Sequence, residues 1–181
     1  MIVVGTLPIV VVGVLMTDAV EEVLRQPAVA AGALAAGALA MLVAERLGER
    51  TRDEHGLRWT DAILVGCAQA AALVPGMSRS GSTISMGLFL GVRRDAAARF
   101  TFLLAIPATI AAASKEAIEV TGMSLGRDVL FMFAVGIAVS AIVGYVTIKY
   151  FLRFLARHRL DVFAWYRLAL AALTVVWLWR H

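Results

Sequence analysis

Residues 73–85, LVPGMSRSGSTIS, decide how this chain is read. They set a proline, two glycines, five hydroxyl side chains and an arginine between segments apolar enough for lipid. Residues 62–74 are apolar for 13 positions. As helix that is about 20 Å, short of a hydrocarbon core about 30 Å thick. Residues 86–92, after the polar turn, form a still shorter apolar stretch. Neither half crosses alone. Either the whole region crosses as one broken helix, or it enters, turns and leaves on the same side.

The rest of the chain sets the frame. It has 181 residues, is 61% hydrophobic and has a mean hydropathy of +0.83, too apolar for a soluble domain with a polar surface. Apolar runs cover 2–16 (with Pro8 inside), 27–44, 100–113 with an extension back to Ala96, 129–148, and 162–179, the last interrupted by Arg167. Residues 45–61 read as a charged loop, and Asp18, Glu21, Glu22 and Arg25 close the first run. The expected fold is an all-α polytopic membrane protein of about five transmembrane helices plus one re-entrant helix–loop–helix over 62–92. It forms a single integral membrane domain over 1–181. Ala33 and Gly37 make a small-xxx-small pair that lets helices approach closely. Trp177 and Trp179 beside Arg180 suit an interfacial anchor. The single cysteine, Cys67, excludes an internal disulfide framework. The start, MIVVGTLPIVV, has no positive n-region and does not read as a signal peptide. The net charge of +4 is not a nucleic-acid signature, because no basic run is interleaved with stacking aromatics. It reads as Lys and Arg biased to one set of loops.

That bias chooses between the two topologies. Arg79 and Arg167, inside apolar regions, are left out. If the element turns back, one side holds Arg46, Arg50, Arg52, Arg58, Arg93, Arg94, Arg99, Lys149, Arg153, Arg157 and Arg159, and the other holds Arg25, Lys115, Arg127 and Arg180, a split of 11 to 4. If it crosses, the later loops change sides and the split is 8 to 7. The positive-inside rule favours the re-entrant hairpin.

Irregular backbone at membrane depth is tolerated only when buried in protein or lining a wet cavity. Pro75 and Gly76 break the first half-helix, Gly81 permits a tight turn, and Ser82 or Thr83 can cap the second half-helix. The N-terminus of that half-helix would point free N–H groups into the membrane interior, where they suit an anion. Ser78, Ser80, Ser82 and Thr83 add hydroxyl donors, and Arg79 adds a permanent positive fork shaped for phosphate oxygens. Any one of these serines alone is better read as bonding its own backbone or gluing helices. The six-residue combination favours a phosphate site. GMSRSGST also looks like a Walker A loop, but Ser82 stands where the lysine belongs and no hydrophilic strand–helix unit surrounds it.

Other polar residues carry less. Arg167 in FAWYRLAL is expected as a member of a buried structural ion pair or as a snorkelling residue. Glu116 and Glu119 read as interfacial. His55, His158 and His181 lie far from the turn, and none has metal-ligand spacing. Gln69 either bonds within the cavity or glues helices.

At CAQAAALVPGMSRSGSTIS the chain resembles the undecaprenyl-diphosphatase, or bacitracin-resistance protein, family. Its signature P-G-x-S-R-S-G-x-T is matched by Pro75, Gly76, Ser78, Arg79, Ser80, Gly81 and Thr83. Likeness continues through FTFLLAIPATIAAASKE, FAVGIAVSAIVGYVTIKYFL and FAWYRLALAA. The resemblance implies a multi-pass enzyme of the bacterial inner membrane. It would release the terminal phosphate of undecaprenyl diphosphate and so regenerate the lipid carrier for peptidoglycan. A divalent cation, Mg²⁺ or Ca²⁺, is implied as cofactor. The implied fold has inverted repeats, each with a re-entrant helix–loop–helix, and this chain would be the second part. Carried onto this sequence, Arg79 and Ser78 are the implied catalytic residues, and Ser78, Arg79, Ser80, Gly81, Ser82 and Thr83 the implied phosphate-binding set. The expected partners are a polyprenyl diphosphate lipid and the membrane, with a homodimer open and no nucleic acid.

One departure matters. The family's other signature, paired glutamates and a P-V-S-S-T-G-H segment whose histidine is the proposed base or nucleophile, is absent here. The chain begins at a stretch, GTLPIVVVGVL, that resembles the family's fourth helix. The metal ligands and the histidine are therefore expected outside this chain. A transporter or flippase module and a non-catalytic remnant stand as the alternatives.

Overall fold

The computed structural model describes residues 1–15, 26–121 and 126–180. The side chains of Lys115, Glu116 and residues 119–121 lie outside the described set, as do Asp18, Glu21, Glu22, Arg25 and His181. Seven α-helices are described: α1 (Ile2–Leu15), α2 (Pro27–Leu47), α3 (Trp59–Ala71), α4 (Arg79–Phe89), α5 (Arg94–Thr121), α6 (Arg127–Leu155) and α7 (Asp161–Arg180). A single 3₁₀ turn, Glu54–Gly56, sits between α2 and α3.

Four of these helices, α2, α5, α6 and α7, are long and apolar enough to cross a membrane. Of the fifth expected span, α1 is the described part, 14 residues and about 21 Å of helix. The class is as expected, an all-α polytopic membrane protein.

The two halves form a hairpin whose ends meet, as the expected re-entrant element requires. Arg52, ahead of α3, and Val92, behind α4, form an isolated parallel bridge. The Arg52 N–H donates to the Gly91 carbonyl at 2.9 Å, and the Arg93 N–H donates to the Arg52 carbonyl at 2.8 Å. The Arg52 guanidinium donates to the Leu90 and Gly56 carbonyls and pairs with Asp61, whose carboxylate also accepts from the Arg58 N–H at 2.7 Å. Entry and exit are thus stitched together at one end of the bundle. With 13 and 11 residues, α3 and α4 reach roughly 20 Å and 16 Å from there before the chain turns.

A buried carboxylate gathers the other helices at that same end. Residues 45–61 read as a loop, yet α2 continues through Glu45, whose side chain is fully buried. The Arg94 guanidinium, at the start of α5, donates to both Glu45 oxygens at 2.6–3.1 Å, and the Leu160 N–H, just ahead of α7, donates at 3.0 Å. Arg50 and Arg159 approach within 3.7 Å. A buried charge is tolerable only when paired and hydrogen-bonded, and Glu45 is both.

Packing elsewhere follows small residues and aromatics. The backbones of α1 and α3 touch, since a Cβ on Gly66 would collide with the Gly5 carbonyl. The Ala33–Gly37 pair lies in the α2–α7 contact, the most extensive between any two described helices. The end of α6 is held by edge-to-face rings, with Phe151 5.9 Å from Phe102 of α5 and 5.5 Å from Phe163 of α7. The rest of α6 stands apart: none of its most apolar 18-residue stretch is buried within the chain. Trp177 and Trp179, at the far end of α7, are exposed, as an interfacial anchor requires.

Two outcomes test this arrangement. Single cysteines at Thr51 and Asp95 should label from the same membrane face, and one at Arg127 from the opposite face; labelling of the first two from opposite faces would exclude the hairpin. Glu45→Ala leaves Arg94 without its bidentate partner and should destabilise the detergent-solubilised protein by on the order of 3 kcal/mol in denaturant melts. Wild-type stability in that variant would make the network dispensable.

Candidate functional site: an arginine-bearing turn at membrane depth

The turn is built by local chemistry. Helix α3 stops at Ala71, the residue whose carbonyl the Pro75 ring would strike if the helix continued. Gly76 then takes φ +93°, and Ser78 takes φ +63°, a costly value for a residue with a side chain. A Cβ on Gly76 would also meet the Ala30 carbonyl of α2. Only glycine fits there.

The second half-helix begins earlier than residues 86–92 suggested. It starts at Arg79, and Ser78 is its N-cap: the Ser78 Oγ accepts from the Gly81 N–H at 3.2 Å. The expected caps, Ser82 and Thr83, are inside the helix instead. The Thr83 hydroxyl is buried and donates to the Arg79 and Ser80 carbonyls at 2.8 and 3.2 Å. The Ser82 hydroxyl donates to the Met77 carbonyl at 3.3 Å. The reason is steric: once Ser78 adopts its positive φ, it is the residue whose oxygen reaches back over the first free N–H groups. Gly81 does not make the turn either. It lies within α4, where a Cβ would sit 2.9 Å from the Arg167 guanidinium and 3.1 Å from the Ser78 Oγ.

Two cavities meet this turn from different sides. Arg79 lines one of about 450 Å³ between α1 and α5, with Ile9, Val10, Leu73, Ala108 and Ala112 among its walls. Arg79 is the one charged residue among the described residues lining it, and its guanidinium makes no hydrogen bond or ion pair with any of them. Ser78, Ser80 and Gly81 line the other, of about 460 Å³, together with Tyr166 and Arg167 of α7. The turn thus separates Arg79 from the two serines expected to act beside it.

Arg167 is neither of the things expected of it. It is 6% exposed, so it does not snorkel, and no carboxylate pairs with it among the described residues. One terminal nitrogen of its guanidinium donates to the Gly76 carbonyl at 2.8 Å, to Met77 at 3.0 Å and to Ala33 at 3.4 Å. It grips the turn from behind. Its isolation inside an apolar run was the one sequence signal that it mattered.

The remaining candidates fall outside the turn. Gln69 is fully buried and its amide has no partner among the described residues, so it does not glue α3 to a neighbour by hydrogen bonding. His55 is near the charged end, and His158 stacks on Phe154. No three His, Cys, Asp or Glu side chains come together as a metal site among the described residues. The turn offers hydroxyls, N–H groups and guanidinium, a donor set that does not fit a divalent cation.

Fold and site together define a polytopic helical membrane protein with a half-helix hairpin whose turn carries an arginine that has no ion pair among the described residues. The family described as bacitracin resistance protein BacA matches residues 1–173, and the chain belongs to that family. An undecaprenyl-diphosphatase of Rubrobacter xylanophilus is 45% identical over 169 residues, 93% of this chain and 62% of that protein. One from Corynebacterium glutamicum is 40% identical over 177 residues (97% of this chain, 60% of the relative). One from Mycolicibacterium vanbaalenii is 42% identical over 178 residues, covering 97% and 64%. The chain therefore spans less than two thirds of the length of these relatives.

The turn's backbone can be tested directly. Gly76→Ala combines a positive φ with the Ala30 clash and should cost about 1–3 kcal/mol or more in thermal or denaturant melts. Gly136→Ala, in open space on α6, should stay within about 1 kcal/mol of wild type. Equal behaviour of the two would mean that Gly76 is not required by the turn.

Proposed function

We propose that this chain supplies the phosphate-holding part of an undecaprenyl-diphosphate phosphatase of the bacterial inner membrane. The reaction would release inorganic phosphate and regenerate undecaprenyl phosphate for peptidoglycan synthesis. The observation that carries this reading is the Arg79 guanidinium, unpaired among the described residues, at the N-terminus of a half-helix and beside a mostly apolar cavity roughly 16–20 Å from the charged end. Arg79 is exposed within the chain, so its cost arises only at membrane depth, where a guanidinium needs an anion or water to complete it. The apolar walls suit an isoprenoid chain, and the fork suits phosphate oxygens. The names of the relatives point the same way.

On this reading the bond broken joins the terminal phosphorus to the bridging oxygen. Negative charge grows on that oxygen and stays spread over the phosphoryl oxygens. Arg79 and the free N–H groups of α4 are aimed where that charge develops, and an electrostatic donor fixed in advance needs no reorganisation as the bond breaks. Ser78 would keep α4 capped while its hydroxyl hydrogen remains free to donate. The Ser80 hydroxyl has no partner among the described residues, although its carbonyl accepts from Thr83, and like Ser78 it lines the cavity on the other side of the turn from Arg79. A divalent cation finds no ligand set among the described residues, so we assign its ligands to the part of the relatives' length that this chain does not cover.

The test is phosphate release from undecaprenyl diphosphate by residues 1–181 joined to the remaining segment of the Rubrobacter relative. Arg79→Ala should lose on the order of 100-fold or more in turnover, and Arg79→Lys should stay badly impaired because it keeps charge without the fork. Ser78→Ala should cost less, one neutral hydrogen bond among several. A well-folded Arg79→Ala protein with near-normal turnover would sink the proposal. Movement of labelled lipid diphosphate across vesicles without phosphate release would favour a flippase instead.

A further inference from the structure

The charged end of the bundle holds more cations than the fold uses. Arg50, Arg52, Arg93, Arg94, Arg99 and Arg159 each meet a carboxylate within 3.6 Å. Arg153 and Arg157, where α6 ends, are exposed and make no ion pair among the described residues. Lys149, one turn before Arg153, has no carboxylate partner there either and stands over the Tyr145 ring, 5.6 Å from its centre. The carbonyl end of a helix favours cations in its last turn, but that attraction is weak and leaves their charge unneutralised.

Both arginines line an open groove of about 1070 Å³, together with Tyr150, Phe151, Phe154 and His158. No acid stands among its described lining residues. The floor is braced from within: His158 stacks on Phe154 with ring centres 4.3 Å apart, and Phe151 is wedged edge-to-face between Phe102 and Phe163. Helix α6 has 29 residues, about 43 Å, against a hydrocarbon core about 30 Å thick, so its last turns emerge at the level of lipid headgroups. The turns leading up to the groove present Ile142, Val143 and Val146, all exposed and apolar. One stretch of helix thus runs from a surface made for acyl chains to a pair of unneutralised guanidinium groups.

We infer that this groove is a binding site for the headgroup of an anionic phospholipid of the surrounding bilayer. Arg153 and Arg157 hold the lipid phosphate, and the acyl chains lie along the exposed apolar side chains of α6. Charge complementarity selects this occupant. Guanidinium forks suit phosphate oxygens, and the leaflet facing a protein's basic loops is rich in anionic lipid. A zwitterionic headgroup brings its own cation, which these arginines repel. The site lies at the opposite end of the bundle from the hairpin turn and does not depend on the proposed reaction.

The experiment is equilibrium binding of radiolabelled dioctanoyl phosphatidylglycerol, compared with dioctanoyl phosphatidylcholine, to the purified 181-residue chain in a neutral detergent. Wild type should bind phosphatidylglycerol on the order of 10-fold more tightly or better. Arg153→Gln and Arg157→Gln should each weaken phosphatidylglycerol by about 5-fold and leave phosphatidylcholine nearly unchanged. Thr147→Trp fills the groove while keeping both arginines, and should weaken phosphatidylglycerol as well. Arg46→Gln removes an equal charge from the same end of the bundle, outside the groove, and should stay within about 2-fold of wild type. Equal binding of the two lipids by wild type would overturn the site. So would an Arg46→Gln loss as large as those in the groove, because the preference would then belong to diffuse surface charge. Binding lost in Arg79→Ala but unchanged in folded Arg153→Gln and Arg157→Gln would place the lipid at the turn, overturning the groove while leaving the Arg79 reading intact.

Discussion

Glu45 is the constraint on which the rest of the arrangement depends. A carboxylate with no solvent contact must have its charge met by protein, and here the partners come from three separate parts of the chain. Arg94 fixes where α5 begins, the Leu160 N–H fixes where α7 begins, and Glu45 itself fixes where α2 ends. The Arg52–Val92 bridge lies at the same end and ties the hairpin's mouths together. With all those termini anchored at one level, the depth of the turn follows from the lengths of α3 and α4 alone.

At the other end of the hairpin the problem is inverted. The turn leaves carbonyls and strained backbone without helix partners, and such groups must find donors. Arg167 supplies them from α7, reached through the gaps left by Gly37 and Gly81. The positive φ of Ser78 is the strained element in this scheme, and it is also what turns Ser78 into the cap of α4. The strain places Arg79 on one side of the turn and the Ser78 and Ser80 hydroxyls on the other. Two arginines thus attend one short turn in opposite states, Arg167 buried and partly satisfied, Arg79 exposed with its guanidinium unpartnered among the described residues.

The long apolar helix α6 shows the other side of membrane folding. Its solvation by lipid needs no partner, so among the described residues it is held near its end by the phenylalanine cluster and the buried Leu155, while none of its most apolar stretch is buried within the chain. Apolar surface of that extent in a soluble protein would be a liability; among acyl chains it is not.

What the sequence by itself determined was everything governed by local composition. Apolar run lengths marked α2, α5, α6 and α7 as spans, Pro75 and Gly76 marked the break, and the uneven count of Arg and Lys chose a hairpin over a crossing. These signals need no knowledge of neighbours, because lipid and water act on each segment separately. Three features stayed hidden: the burial of Glu45 inside what read as a charged loop, the transfer of the cap from Ser82 or Thr83 to Ser78, and the carbonyl partners of Arg167. The first and third are contacts between residues 49 to 134 positions apart. No window of sequence contains both partners. The second depends on the positive φ of Ser78, which follows the Met77 carbonyl held by Arg167 from another helix. An isolated glutamate, serine or arginine has the same intrinsic chemistry wherever it stands. Only the packed helices decide whether its charge meets water, a counter-charge or a row of carbonyls, and so whether it holds the fold or waits for a ligand.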